Sequence, residues 1–259
     1  MKIVLATSGS RGDVQPMIAL SLGLINAGHN VRLVGPPEKK QWAEDLGCPY
    51  TGLGRDVTAF LDTIENPISI STGLAFVNYV RNEIHTQFEK LPQLIENANL
   101  VIGSSLMFAL SSVSESLKIK YRYVAFTPQL FPSSNHPFVT IKTQTLPKWC
   151  NALTWKLAKF GDKFNSTFIV NQHRKKMGLP LLNDAWQHIF GTKTIVASDP
   201  QIASIPKDVI QSAIQTGYLH LKLSGVSNPD IQQKAKQIAQ SIHPENSLHK
   251  AIRTIEETI

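Results

Sequence analysis

The amino-acid sequence predicts an α/β fold, a Rossmann-like parallel sheet covered by helices on both faces. Over the first 53 residues, short apolar runs rich in β-branched residues alternate with segments whose apolar residues recur at helical spacing. This strand–helix–strand–helix–strand order is typical of a doubly wound parallel sheet. The chain has 259 residues, 42% hydrophobic and 17% charged, which is an ordinary globular composition with a sizeable core.

Strand and helix signals recur along most of the chain. We expect strands at residues 2–7, 30–35, 50–53, 100–103, 121–126, 194–197 and 214–217. We expect helices at residues 14–27, 39–46, 73–98 with an interruption near Pro92, 108–117, 228–242 and 248–259. Gly28 and Gly47 follow two of these helices, where glycine commonly ends a helix. Residues 127–147 contain four prolines and predict a long loop, and long loops in compact domains often carry function.

Residues 148–176 combine an apolar stripe with basic residues. Six large side chains are spaced by three or four and predict one helix face: Trp149, Leu153, Leu157, Phe160, Phe164 and Phe168. Four lysines lie off this stripe, at positions 148, 156, 159 and 163. We interpret the stripe mainly as core. A basic amphipathic helix can also lie on a membrane surface, and a solvated lysine face explains the charges equally well.

Charge and cysteine content limit the classes of partner and compartment. The net charge of +7 makes phosphates, anionic lipid or nucleic acid plausible partners without deciding among them. Arg174-Lys175-Lys176 has no accompanying aromatic platform, which argues against a nucleic-acid patch. Cys48 and Cys150 are too few for a disulfide framework and fit a reducing compartment. Without a signal-peptide pattern or a long apolar segment, we expect a cytoplasmic protein, with peripheral membrane contact as a further hypothesis.

The segment from Thr7 to Pro16 carries the chemistry, in the first strand-to-helix turn. Gly9 and Gly12 permit a tight turn and close backbone approach, while Ser10 and Arg11 can bind an anion beside the free N–H groups of a helix start. Asp13 lies in the first helical turn, where the dipole favours a carboxylate, as a structural cap or as a base. The spacing lacks the G-x-G-x-x-G dinucleotide fingerprint, which disfavours a nicotinamide-dependent oxidoreductase.

This motif resembles the N-terminal motif of family 28 type glycosyltransferases, which include sterol glucosyltransferases and the enzymes that glycosylate glycopeptide antibiotics. The resemblance covers roughly the first 220 residues. The eight-residue motif is fairly specific, and the other matching segments are individually weak. The matching segments are Gly9-Ser10-Arg11-Gly12-Asp13-Val14-Gln15-Pro16, Ala27-Gly28-His29-Asn30-Val31, Gly35-Pro36-Pro37, Phe126-Thr127-Pro128 and Met177-Gly178-Leu179-Pro180.

The resemblance implies a GT-B fold, in which an N-terminal domain binds the acceptor and a C-terminal domain binds the nucleotide sugar. It implies that Asp13 is the general base for an inverting transfer of a hexose from a UDP-sugar to a hydroxyl of a lipid, sterol or other apolar acceptor. Ser10, Arg11 and Gly12 would face the donor pyrophosphate. Neither a metal nor a cofactor is implied, since the UDP-sugar is a substrate.

Three further residues are candidates for acceptor binding under the same resemblance. His85 lies on a predicted helix that would border the acceptor cleft, although a histidine on the helix surface is the favoured interpretation. Thr127 follows a strand in the matching Phe126-Thr127-Pro128 segment. His136 lies in the proline-rich loop, where it could contact an acceptor.

The sequence departs from the family pattern after residue 220. Residues 1–220 correspond to the acceptor-binding domain, and residues 228–259 to terminal helices that cross back onto it. The body of the donor domain is therefore expected to be deleted in the short junction 221–227. Two functions remain open on these grounds: a UDP-sugar-dependent hexosyltransferase, and an inactive acceptor-binding module that lacks the donor site.

Overall fold

A computed structural model describes residues 1–64, 69–209, 213–221 and 244–257. Its strands form one seven-stranded parallel sheet in the order β3-β2-β1-β4-β5-β6-β7. The strands are β1 Lys2–Ala6, β2 Asn30–Gly35, β3 Tyr50–Gly52, β4 Leu100–Ser104, β5 Lys120–Ala125, β6 Thr194–Val196 and β7 Ala213–Gln215. The predicted Rossmann-like sheet and its strands are thus confirmed.

Helices cover both faces of this sheet. The α-helices are α1 Arg11–Asn26, α2 Lys40–Asp45, α3 Val57–Asp62, α4 Ile70–Ile95, α5 Leu110–Ser116, α6 Lys148–Lys163, α7 Ser166–Lys176, α8 Ala185–Ile189 and α9 Pro244–Glu256. Strand β1 divides the two cores, because successive side chains of a strand point to opposite faces. Ile3 and Leu5 enter the core beneath α1, α2 and α9, whereas Val4 and Ala6 enter the core beneath α4, α5 and α7.

The strand order reverses direction between β1 and β4. Ala6 pairs with Val34 of β2 on one side and with Gly103 of β4 on the other. From β1 the chain continues outward to β2 and β3, and from β4 it continues outward to β5, β6 and β7. Ligands of open α/β sheets bind in the crevice outside the carboxyl ends of the strands at such a reversal. The fold therefore places the loop after β1 and the loop after β4 at the favoured binding position.

The C-terminal helix α9 packs against α1. A Cβ atom at Gly23 of α1 would approach Ile252 Cδ1 to 2.8 Å, so the absence of a side chain allows this close contact. Ala251 and Ile255 are fully buried in the same interface, and His29 Nε2 lies 3.1 Å from Glu256 Oε1. The other predicted C-terminal helix, at 228–242, lies outside the described residues.

Helix α4 continues through Pro92, so the expected interruption there is wrong. Proline lacks an N–H group and therefore removes one hydrogen bond to the preceding turn. Pro92 lies in the last turn of α4, and the helix needs only three more residues to reach its end at Ile95. The loss of a single hydrogen bond this close to the end of the helix therefore does not interrupt it.

The apolar stripe of residues 149–168 is exposed, so its interpretation as core is wrong. Its six side chains are between 45% and 69% exposed. Four of them lie on α6, Phe164 follows that helix and Phe168 lies on α7, because α6 ends at Lys163 and the backbone of Asn165 leaves the helical region before α7. Helix α6 buries its opposite face, where Trp155 Nε1 donates to the carbonyl of His136 and Asn151 Nδ2 donates to the carbonyl of Ser134. Within the described ranges, no helix is long and apolar enough to cross a membrane.

Candidate functional site

Asp13 lies at the carboxyl edge of the sheet, where the strand order reverses. Its Oδ2 accepts hydrogen bonds from the backbone N–H of Ser10 at 2.8 Å and from Ser10 Oγ at 3.3 Å. These contacts cap the first turn of α1, since the N–H groups there have no partner within the helix. The side chain is only half buried, so the carboxylate remains accessible from the open side of the edge.

Glycine at position 9 is required by the position of this carboxylate. Gly9 adopts φ +137°, which disfavours residues with a side chain. A Cβ atom there would also collide with the Asp13 carboxylate. The first glycine of the motif thus lets the loop after β1 close around the aspartate.

The loop after β4 holds the second oxygen of Asp13. Ser105 Oγ donates to Asp13 Oδ1 at 2.6 Å, and the Ser105 backbone adopts the uncommon φ of +53°. The carbonyl of Ser105 accepts a hydrogen bond from the hydroxyl of Tyr123 at 2.8 Å. Burial, together with the nearby charge of Asp13, raises the pKa of Tyr123 well above its usual range, so this hydroxyl remains a donor. Both oxygens of Asp13 are therefore fixed in orientation.

Sequence reasoning missed Ser105 and Tyr123. The available signal was that Ser104-Ser105 directly follows an apolar strand, and that this strand is the neighbour of β1 across the reversal of strand order. The neighbouring Ser104 supports the same arrangement, because its Oγ donates to Thr7 Oγ1 at 2.8 Å in the buried interior.

The three residues predicted to face donor phosphate lie at the exposed start of α1. Ser10 and Gly12 are exposed beside the N-terminal N–H groups of the helix. Arg11 reaches along the edge: its Nε lies 3.3 Å from Gln15 Oε1, and its guanidinium lies 5.2 Å from the centre of the Trp42 ring. Ser10 donates both its N–H and its hydroxyl to Asp13, so the exposed anion-compatible groups here are the N–H groups of the first helical turn and the guanidinium of Arg11.

A cavity of about 420 Å³ lies between α4 and the pair α6–α7. Its walls are mostly aromatic and aliphatic, with polar groups at a few points. The lining residues are Phe76, Val77, Val80, Leu106, Phe108, Phe138, Thr140, Trp155, Ala158, Lys159, Gly161, Asp162, Asn165, Ser166 and Trp186. A small-molecule pocket typically has this volume range and this largely apolar lining.

One pair of consecutive residues links the wall of the cavity to Asp13. Ser105 hydrogen-bonds the carboxylate, and the next residue, Leu106, lines the cavity. Among the polar lining groups, Lys159 pairs with Asp184 at 3.0 Å and Asp162 accepts from Thr167 Oγ1 at 2.7 Å. Two of the charges in the wall are thus already satisfied by protein groups, which leaves the cavity suited to an apolar molecule.

The predicted acceptor residues occupy three different places. His85 Nδ1 lies 2.8 Å from His173 Nε2, between α4 and α7 and outside the cavity lining. Thr127 follows β5 at the carboxyl edge, where its Oγ1 accepts from the N–H of Gln129. His136 packs its ring edge-on against Trp155, a cavity residue, with ring centres 5.8 Å apart. Only His136 therefore touches the wall of the cavity among these three.

Similar proteins are enzymes that transfer sugars. Vancomycin aglycone glucosyltransferase of Amycolatopsis orientalis is 29% identical over 228 residues, covering 84% of this chain and 53% of that protein. Sterol 3-beta-glucosyltransferase of Komagataella phaffii is 30% identical over 132 residues, covering 49% of this chain and 10% of that protein. The structure of the glycosyltransferase VinC in complex with dTDP matches 91% of this chain and 57% of VinC, with a TM-score of 0.54 at 17% identity, which supports the fold.

The chain spans about half the length of the Amycolatopsis relatives that it matches. The glycosyltransferase family 28 N-terminal domain matches residues 3–133, just over half of the chain. That range contains the Asp13 loop, the Ser105 loop and, apart from Lys2, the strands β1 to β5. Sequence, strand order and site geometry agree, and this protein belongs to the glycosyltransferase family 28 N-terminal domain family, with a GT-B type fold.

Proposed function

We propose that this chain is the acceptor-side half of an inverting glycosyltransferase, which transfers a hexose from a UDP-sugar to a hydroxyl of a lipid, sterol or other apolar acceptor. The observation that carries the proposal is that Ser105, which hydrogen-bonds Asp13, and Leu106, which lines the apolar cavity, are consecutive residues. An apolar acceptor in the cavity would extend toward Asp13, whose carboxylate both edge loops hold in orientation.

Asp13 is the general base in this proposal. The carboxylate takes the proton of the acceptor hydroxyl while the hydroxyl oxygen attacks the anomeric carbon of the sugar. The bond from the anomeric carbon to the diphosphate breaks at the same time, and the configuration inverts. Proximity and orientation of the reacting groups supply much of the acceleration, and a positioned base typically adds about 10²–10⁴-fold.

The donor requires a second binding half in this account. Ser10, Arg11 and Gly12 form part of the surface that would bind the diphosphate of the donor. The dTDP of the VinC complex supports a nucleoside diphosphate as the donor group. Residues 1–220 form the acceptor domain, and a donor domain body is absent from the junction 221–227. The inactive acceptor-binding module is the second candidate, supported by the half-length match to relatives.

Occupation of the cavity tests the proposal. Trp155 and Trp186 line the cavity, so their fluorescence should respond in a saturable way to cholesterol carried in cyclodextrin or to kaempferol. The variant Gly161→Phe should weaken binding at least about tenfold, or ~1.4 kcal/mol, because Gly161 lines the cavity and has open space for a side chain.

Gly73→Phe is the matched control. Gly73 is also an exposed helical glycine with open space around it, but it does not line the cavity. Equal affinities in both variants, or no response from either tryptophan to any hydroxylated apolar compound, would refute the cavity as the acceptor site. An acceptor of this class resides in membranes, so peripheral membrane contact through residues 148–176 belongs to the same proposal.

A further inference from the structure

We propose that the exposed stripe on α6 and α7 rests on an anionic lipid surface and holds the mouth of the cavity at that surface. The stripe consists of Trp149, Leu153, Leu157, Phe160, Phe164 and Phe168. This inference rests on the proposed apolar acceptor, and it names the partner that would deliver that acceptor to the cavity.

The stripe continues past the end of α6. Phe160 of α6 and Phe164, which follows that helix, contact each other edge-on with ring centres 5.4 Å apart. Single exposed apolar residues are common on soluble proteins, whereas large contiguous apolar patches mark interaction surfaces. The five exposed side chains from Trp149 to Phe164, at helical spacing, form such a patch, and the exposed Phe168 follows on α7.

Two lysines border the stripe. Lys156 lies three residues after Leu153 and four before Phe160, and Lys163 lies three residues after Phe160, so both neighbour the stripe on the helix surface. Across the described ranges, neither lysine forms an ion pair. The one acid of α6, Asp162, is turned away toward the cavity and is hydrogen-bonded by Thr167.

This combination of side chains favours a lipid surface as the partner that covers the stripe. Helices that lie in the membrane interface carry Trp, Phe and Leu on one face and lysine beside it, and anionic lipids attract the lysines. Unpaired positive charge along the border favours an anionic surface over an uncharged one. A second copy of this chain would bring the same lysines together, which is electrostatically unfavourable.

The same helix connects the stripe to the cavity. Trp155 and Ala158 on the inner face of α6 line the cavity, and Gly161, next to Phe160 in sequence, lines it as well. Phe76 of α4 lines the cavity and is exposed, so it lies at the mouth. In this inference an apolar acceptor passes from the lipid into the cavity beside Gly161 and Phe76.

Vesicle flotation of the purified chain tests this inference. We expect co-flotation with vesicles of phosphatidylcholine and phosphatidylserine, little with phosphatidylcholine alone, and a blue shift of the exposed Trp149 on binding. Phe160→Glu combined with Leu157→Glu should lower partitioning at least about tenfold, since both side chains would enter the interface. Leu181→Glu is the control, because Leu181 is equally exposed but lies outside the stripe.

Charge reversal separates the lipid proposal from general adhesion of a basic protein. Lys156→Glu with Lys163→Glu should reduce binding to anionic vesicles more than Lys90→Glu with Lys193→Glu, which changes the net charge equally at two exposed lysines outside residues 148–176. Equal losses in the two double variants would overturn the inference. So would a lack of flotation with either vesicle, or self-association in analytical ultracentrifugation that Phe160→Glu abolishes without any lipid binding.

Cavity occupation by cholesterol from cyclodextrin is measured separately in the same variants. If flotation fails while cholesterol still fills the cavity, the lipid surface is wrong and the acceptor proposal stands. If flotation succeeds while no hydroxylated apolar compound enters the cavity, the proposed function fails and the lipid surface stands as a docking site only.

Discussion

Replacing Asp13 with asparagine is expected to reduce sugar transfer by about 10²–10⁴-fold, the usual contribution of a positioned general base. Asparagine keeps the shape of the side chain and one oxygen for the hydrogen bonds from Ser10 or Ser105. It cannot take a proton from the acceptor hydroxyl. The change therefore removes the chemistry while keeping most of the geometry shown by the contacts of both carboxylate oxygens.

The matched control is Asp56→Asn. Asp56 also accepts a backbone hydrogen bond at a helix start, from the N–H of Ala59, but it caps α3 away from the β1–β4 reversal. Both variants should lose no more than about 1–2 kcal/mol of stability, the range for a helix cap. Transfer from UDP-glucose is measured with the chain alone and with the chain mixed with a separately produced donor-binding domain of a relative. An Asp13→Asn rate equal to that of Asp56→Asn would eliminate Asp13 as the base.

Replacing Arg174 with methionine is expected to destabilise the protein by about 3 kcal/mol, as the loss of one partner from a buried polar network does. Arg174 is the largest fully buried side chain in the described ranges. Its guanidinium donates to Glu115 Oε2 at 2.7 Å, to Ser112 Oγ at 2.9 Å and to the carbonyl of Pro180 at 2.8 Å. Methionine fills part of the volume and leaves these acceptors without their donor.

The free energy of unfolding of Arg174→Met, measured at several pH values, gives a second test of this interaction. The hydrogen bond from Arg174 lowers the pKa of Glu115. A carboxyl with a lowered folded-state pKa stabilises the protein above its ordinary pKa of about 4.3, and this contribution disappears as pH falls through the lowered value. The difference between wild type and Arg174→Met should therefore shrink in acid.

Lys175→Met supplies the reference for that measurement. Lys175 is exposed on the next position of α7, and its replacement should change stability by no more than about 0.5 kcal/mol. A loss in Arg174→Met no larger than in Lys175→Met would show that the buried guanidinium contributes no net stability.

The strands of this fold were predictable because buried parallel strands are short, apolar and rich in β-branched residues. The Asp13 loop was predictable as well, since glycine and an acid at a strand-to-helix turn have local physical consequences. The cavity was not, because its walls come from residues as distant in sequence as Phe76 and Trp186. Such a space depends on the packing of α4 against α6 and α7, which no local pattern encodes.

The exposed stripe shows more directly what helical periodicity in a sequence cannot predict. Spacing by three and four residues predicts that Leu153, Leu157 and Phe160 share a helix face, and they do. It does not predict which face the fold buries. In α6 the buried face contains Trp155 and Asn151, whose side-chain N–H groups donate to backbone carbonyls in the proline-rich loop. Two side chains with polar groups thus occupy the interior while the apolar residues of the stripe remain outside.

Calorimetric titration of the purified chain with UDP-glucose, beside the same titration with an apolar acceptor, tests the acceptor-half account most directly. We predict saturable heat with the acceptor, and none with UDP-glucose, UDP or dTDP-glucose at millimolar concentration. Tight nucleotide-sugar binding in the absence of acceptor would contradict the account, because the chain would then contain a donor site of its own.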